Sequence, residues 1–225
     1  MAKEFELLIY SDIACPWCYI GWSRLKKALE PEKMEQYKFT IKPRFMPYLI
    51  NENLDKDPVT KEKLYSEKFM GGDGASAVRN KISAEGEKDG IKFNWDSKSK
   101  VRQTKDGHRV IEKAYEMGGF DLQSQVAEKL YKAFNEDGID VGDLETLAEL
   151  SSSVPGFLSK EDALKFVQSD EGAYELDKAL EKVPYIGIDS VPYYILDETD
   201  AYTQAITAEE WHKHFEVLGR AYGLA

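Results

Sequence analysis

The sequence predicts an α/β fold in which a small sheet domain is interrupted by a large helical insertion. Three observations predict it. A strand, a helix and a second strand follow one another before residue 48; residues 55–182 then carry helix after helix punctuated by glycine; and strand character returns near residue 191 in a hairpin closed by a last helix. On that pattern, residues 1–54 and 183–225 form one domain, and 55–182 an inserted helical subdomain.

Residues 4–11 alternate and then run apolar through Phe5, Leu7, Leu8, Ile9 and Tyr10, as a buried strand does. Ser11, Asp12 and Ile13 lead out of it. From Cys15 onward, helical spacing places Cys18, Trp22, Leu25 and Leu29 on one face and Arg24, Lys26 and Lys27 on the other. Cys18 therefore points inward and Cys15 opens the helix, which Pro31 ends. Residues 37–45 alternate with period 2 as a second strand reaching toward Pro47, so a right-handed parallel strand-helix-strand unit is expected.

Further helices are expected near 58–71, 75–86, 104–118, 121–136, 143–152, 160–168 and 170–182. Thr104 or Asp106, Asp121, Asp143 and Ser159 stand where N-caps belong. Gly71-Gly72-Asp73-Gly74 lacks the Lys-Ser/Thr of a phosphate loop and reads as a break between helices. Residues 191–196 and 201–206 form a hairpin around a turn at 197–200. Thr207 caps the closing helix, with Glu209 and Glu210 in its first turn and Trp211, Phe215, Leu218 and Tyr222 on one face.

The net charge is −11, with 30 Lys and Arg interleaved among 41 Asp and Glu, so no basic stripe follows a phosphate backbone and nucleic acid is not an expected partner. No apolar run approaches the roughly 18 residues a membrane helix needs. The N-terminal residues lack the pattern of a signal peptide, which makes the cytoplasm the expected compartment. Oligomeric state is left open.

The two cysteines, Cys15 and Cys18, are spaced C-x-x-C at the strand-to-helix join. In a reducing compartment that spacing points to redox chemistry or a metal, not to a structural disulfide framework. A tetrahedral zinc site needs four ligands, and His108, His212 and His214 are not spaced to complete one, so no metal is expected. His212 and His214 fall on different helix faces and read as surface residues. A helix N-terminus stabilises a thiolate, so Cys15 is the expected nucleophile; Cys18, one turn later on the buried face, is the expected resolving thiol. Pro16 suits the first helical turn, and Trp17 offers an uncharged apolar surface beside the exposed Cys15 sulfur. Asp12 reads as a turn residue facing water. Phe45, Met46, Tyr48, Phe69 and Met70 are candidates for an apolar substrate groove, although such residues belong more often to a core.

The order of these elements, with Cys15-Pro16-Trp17-Cys18 near one end and Val191-Pro192 opening a distant hairpin, resembles the DsbA-like branch of the thioredoxin superfamily over nearly the whole chain. The stretch Asp12-Ile13-Ala14-Cys15-Pro16-Trp17-Cys18-Tyr19-Ile20-Gly21 is most similar to the intracellular, frenolicin-biosynthesis-type members. The resemblance implies a thioredoxin fold with a large helical insertion, and a cis Pro192 facing the cysteines, with Val191 pairing its backbone to an extended substrate. It also implies a helix carrying His108-Arg109 that faces the site, with Gly107 where the family often has alanine. The implied substrate-binding set is Pro16, Trp17, Val191, Pro192 and His108.

The expected function is thiol-disulfide exchange on a protein or small-molecule disulfide or thiol, with no bound cofactor and with glutathione or thioredoxin as recycling reductant. A reducing cytosol favours the dithiol at rest, hence reductase, isomerase or peroxide-stress roles. The alternative is a glutathione-dependent transferase or isomerase of the kappa-class or 2-hydroxychromene-2-carboxylate isomerase type, with glutathione as co-substrate. Those relatives typically carry serine where Cys15 stands, which argues against it. A third reading is a redox-inactive binding module using the groove beside Val191-Pro192.

Overall fold

A computed structural model describes residues 3–54, 57–68, 72–96 and 98–224. Strand β1 (Lys3–Ser11) runs parallel to β2 (Phe39–Pro47), and β1 pairs on its other side, antiparallel, with β5 (Tyr193–Leu196), which pairs in turn with β6 (Asp200–Thr203). The sheet order is β2-β1-β5-β6. Helix α1 (Pro16–Ala28) joins the parallel strands; Pro16 in its first turn has no N–H to leave unpaired, and Lys26 and Lys27 in its last turn suit the negative end of the helix dipole. Pro31 does more than stop it: Pro31–Met34 form a one-turn helix, α2, and β2 starts two residues later than its alternation suggested.

Between β2 and β5 lie α3 (Lys61–Lys68), α4 (Gly72–Lys88), α5 (Lys105–Asn135), α6 (Leu144–Ser152), α7 (Lys160–Gln168) and α8 (Ala173–Lys182). Asp143 and Ser159 cap α6 and α7 as expected, accepting the N–H groups of Thr146 and Asp162. Three details depart from the periodicity. Val59 and Thr60 form a short strand, β3, against β4 (Lys100–Val101), which delays the first helix to Lys61. The helices expected at 104–118 and 121–136 follow one another within α5 with no loop between them, meeting at a kink where Gly118 and Gly119 leave helical geometry and φ of 63° at Gly119 is open to glycine without strain. Gly72-Asp73-Gly74, expected in the break between helices, already lies in α4, which begins at Gly72; Phe69, Met70 and Gly71 lie outside the described residues.

The larger of two buried clusters among the described residues runs from Phe5, Leu7 and Ile9 through α1 to Val126 and Leu130 of α5, and on to Leu147 and Phe166. The insertion thus shares the core of the sheet. Gln123, fully buried on α5, serves the open edge of β2: its amide oxygen accepts from the Phe45 N–H at 2.9 Å, and its amide nitrogen donates to the Phe45 carbonyl at 3.2 Å. Lys61 is 4% exposed; its Nζ donates to the carbonyls of Phe134 (2.6 Å) and Asn94 (3.2 Å), and burial pushes the ammonium pKa down to about 8.

The closing helix α9 (Ala208–Ala221) carries a capping box, with Thr207 accepting the Glu210 N–H and Glu210 accepting the Thr207 N–H. Trp211, Phe215 and Leu218 are buried as their spacing predicts. Tyr222, past the helix end, is exposed and lays its ring against Phe5 at 4.9 Å. Among the described residues, no helix is long and apolar enough to cross a membrane.

Candidate active site

Cys15 occupies the N-cap of α1 in an extended conformation with no side-chain cap bond; its carbonyl accepts from the N–H groups of Cys18 (3.1 Å) and Tyr19 (3.3 Å). The Asp12 carbonyl accepts the Cys15 N–H at 3.0 Å, closing the turn out of β1. Both cysteines are free thiols. The Val191–Pro192 bond is cis, and the Cys15 thiol donates to the Val191 carbonyl at 3.7 Å, across 176 positions of sequence.

The exposed attacker and buried resolver need correction. Cys15 is only 6% exposed and Cys18 2%, so surface area barely separates them. Access separates them instead. Cys15 lines a groove of about 400 Å³ with Pro16, Trp17, Tyr48, Ile50 and Val191, and Cys18 does not. Burial, and next the adjoining Cys15 side chain, push the Cys18 thiol pKa well up, while the Asp12 N–H and the Ser11 hydroxyl work against them.

Of the residues expected in an apolar groove, Tyr48 lines this one; Phe45 and Met46 line a different cavity, and Phe69 and Met70 are outside the described residues. The far wall of the groove comes from the insertion, through Leu64, Val78, Ile82 and Phe134. On the other side of Trp17 a second recess of about 600 Å³ reaches Pro192, Gln204, Arg24 and Lys81, with the Lys81 Nζ 5.9 Å from the Trp17 ring centroid. Trp17 itself is uncharged, as read, but a cation stands beside it.

Gly21 sets how closely α1 meets β5. A Cβ there would overlap the Tyr194 hydroxyl and come within 3.2 Å of the Pro192 Cγ. Gly21→Ala should therefore push β5 away from the cysteines at a cost of about 1–3 kcal/mol. Denaturant melts and insulin reduction measure this; a variant matching wild type in both would refute the close-packing role.

Asp12 is a turn residue, but it does not face water. It is 1% exposed, and its carboxylate accepts from the N–H groups of Ile50 (2.7 Å) and Ala14 (3.0 Å) and from the Thr104 hydroxyl (2.8 Å). Thr104 stands at the N-cap of α5 yet spends its hydroxyl on Asp12. Burial raises the Asp12 carboxyl pKa, but His108 and the two N–H groups outweigh it and hold the group below its ordinary value.

His108 does not line the Cys15 groove. It is 6% exposed, its Nε2 lies 3.7 Å from the Asp12 carboxylate, and it lines the separate cavity that holds Phe45 and Met46. Its neighbour Arg109 turns away, donating to carbonyls at the end of α7, including those of Phe166 and Ser169. Gly107 has a local cause: a Cβ there would meet the Ile13 Cδ1 at 2.5 Å, in the loop leading to Cys15. His212 and His214 are half-buried, packed against Tyr37 and Tyr202. No group of three or more metal-ligating side chains gathers among the described residues.

Ser11, Tyr131 and Asn135 are site neighbours that sequence reading missed. The Ser11 and Tyr131 hydroxyls hydrogen-bond each other, and the Asn135 amide donates to the Ile13 carbonyl at 3.1 Å. Tyr131 and Asn135 fall on the otherwise apolar face of the helix expected at 121–136, a signal that could have found them.

A parallel strand-helix-strand unit, an antiparallel hairpin and a closing helix, with a C-x-x-C at the first helix opposite a cis-proline, define a thioredoxin fold carrying a large helical insertion. The chain belongs to the DSBA-like thioredoxin domain family, which matches residues 6–216. No curated protein matches it by sequence. Among solved structures it is similar to a probable DsbA oxidoreductase from Streptomyces coelicolor (24% identity, TM-score 0.81, covering 97% of this chain and 90% of that one). It is also similar to the cytosolic disulfide reductase DsbM from Pseudomonas aeruginosa, solved also with GSH (14%, TM-score 0.66, 96% and 99%). A third is a 2-hydroxychromene-2-carboxylate isomerase (15%, TM-score 0.63, 96% and 95%). These likenesses are of fold.

Proposed function

We propose that the chain is a cytoplasmic thiol-disulfide oxidoreductase working as a reductase or isomerase. The Cys15 thiolate attacks one sulfur of a substrate disulfide; a Cys15–substrate bond forms and the other substrate sulfur leaves as a thiolate. Cys18 then loses its proton and attacks the Cys15 sulfur, releasing the second substrate thiolate and leaving a Cys15–Cys18 disulfide. Two electrons have passed to the substrate, and a thiol reductant such as glutathione or a thioredoxin-type dithiol returns them. No resident metal or cofactor takes part.

The observation that carries this reading is the Cys15 thiol at the Val191 carbonyl, at the mouth of a groove that Cys18 does not reach. An extended peptide or glutathione pairing with the Val191 backbone brings its sulfur to Cys15, with Trp17 and Pro192 beside it. Cys18→Ser tests the order of events: it should trap a substrate on Cys15 as a mixed disulfide, while wild type reduces insulin. Failure of this variant to hold an adduct on Cys15 would refute the assignment.

A further inference from the structure

The Cys15 groove does not end at Trp17. Trp17, Ser190 and Val191 line both that groove and the recess of about 600 Å³ that reaches Pro192. A substrate whose sulfur lies at Cys15 therefore has two ways onward, along the groove or past the indole into the recess. The two ways differ in charge. The groove is lined by one charged side chain among the described residues, the carboxylate of Asp189.

The recess is lined by Arg24, Lys81 and Glu85. Arg24 is fully committed: its Nε donates to Asp89 (2.7 Å), its Nη1 to the Ala205 carbonyl (2.8 Å) and its Nη2 to Glu85 (2.9 Å). Glu85 also accepts from Lys88 (2.7 Å), and Asp89 from Lys27 (2.8 Å), so neither carboxylate is left over. Lys81 has no carboxylate partner among the described residues, and its ammonium stands 5.9 Å from the Trp17 ring centroid. It is the uncommitted charge of the recess, and it is positive on a chain whose net charge is −11. Salt screens charges over about 8 Å at physiological strength, so an anion inside the recess meets Lys81 before it meets the rest of the chain.

We propose that the recess beside Trp17 and Pro192 is a subsite for a substrate carboxylate, and that Lys81 selects disulfides bearing an acidic group near the reacting sulfur. The inference rests on the oxidoreductase reading and names its substrate class. A carboxylate on an arm that crosses Trp17 pairs with the Lys81 ammonium, whereas the same group in the groove would face Asp189. Lys81 takes no part in the exchange of sulfur bonds; it raises the share of encounters that place an anionic disulfide at Cys15.

Two aromatic disulfides that release coloured thiols test this: dithionitrobenzoate, with a carboxylate on each ring, and neutral dithiodipyridine. Their rates with the reduced protein, each divided by the rate of the same disulfide with mercaptoethanol, are compared at low ionic strength. Lys81→Met keeps the stem and deletes the charge. It should slow dithionitrobenzoate about fivefold and leave dithiodipyridine within about twofold, with the gap closing as salt is added. Lys160→Met, on α7, makes the same change in net charge outside the recess and should leave both rates as they are. Dithionitrobenzoate unaffected by Lys81→Met overturns the subsite. So does an equal slowing of both disulfides, which marks an effect on Cys15 or on the fold, or an equal response to Lys160→Met, which marks the charge of the whole chain. Wild type that reacts with neither disulfide would instead overturn the oxidoreductase reading itself.

Discussion

Replacing Cys15 by serine should abolish insulin reduction, a loss of at least roughly 10³-fold, and leave the fold intact. The chemical half follows from the nucleophile: a thiolate attacks a disulfide sulfur, and a serine hydroxyl at neutral pH does not. The structural half follows from position. Cys15 is the N-cap of α1, in extended backbone, with no side-chain cap bond. Serine is among the preferred N-cap residues, so the variant should melt no lower than wild type, with a gain of up to about 1 kcal/mol. Denaturant melts and insulin turbidity read the two halves separately. Turnover that survived the loss of Cys15 would move the assignment to a glutathione-dependent transferase or isomerase.

Asp12→Ala should have the opposite signature, with stability lost first and activity as a consequence. Removing the carboxylate leaves the N–H groups of Ile50 and Ala14 and the Thr104 hydroxyl without their acceptor inside the protein. Buried donors left unpaired cost about 1–3 kcal/mol each, and breaking a buried charged cluster about 3–5 kcal/mol in all. Asp12→Asn, which keeps one acceptor oxygen, should lose less.

The same carboxyl gives a pH signature. Its folded pKa lies below its ordinary value, so its stabilising contribution is complete above about pH 4, the unfolded range, and is lost as pH falls through the folded value. Wild type should therefore lose more stability than Asp12→Asn between pH 5 and pH 3, roughly the span of that titration. Urea melts at the two pH values check this. Asp12→Ala within about 1 kcal/mol of wild type at pH 7 would refute the clamp.

Asp12 also shows where local reading of a sequence stops. An aspartate in a turn after a strand ordinarily faces water, and nothing in residues 11–15 says otherwise. Its burial depends on Ile50 from the segment after β2 and on Thr104 at the head of α5, both delivered by tertiary packing. The positions of Cys15, Trp17 and Cys18 were legible because they follow from the start of one helix. Val191-Pro192 was legible only through its family resemblance. His108 was read from the same resemblance, and packing put it beside Asp12, in a cavity that neither cysteine lines. Lys61, with an ammonium enclosed between two backbone carbonyls, carries no sign of burial in its polar surroundings in the chain.

Local order therefore settled which residues begin helices, which face of α1 is apolar and which sulfur lies first, because periodicity, caps and the helix dipole act over a few residues. Tertiary structure alone decided which polar groups lose their water. Desolvation is a property of everything packed around a group, and here that means strands, loops and helices far apart in the chain. It buried Asp12 and Ser11, raised the pKa of Cys18, and separated the groove that Cys15 lines from a second cavity lined by Ser11, His108 and Tyr131.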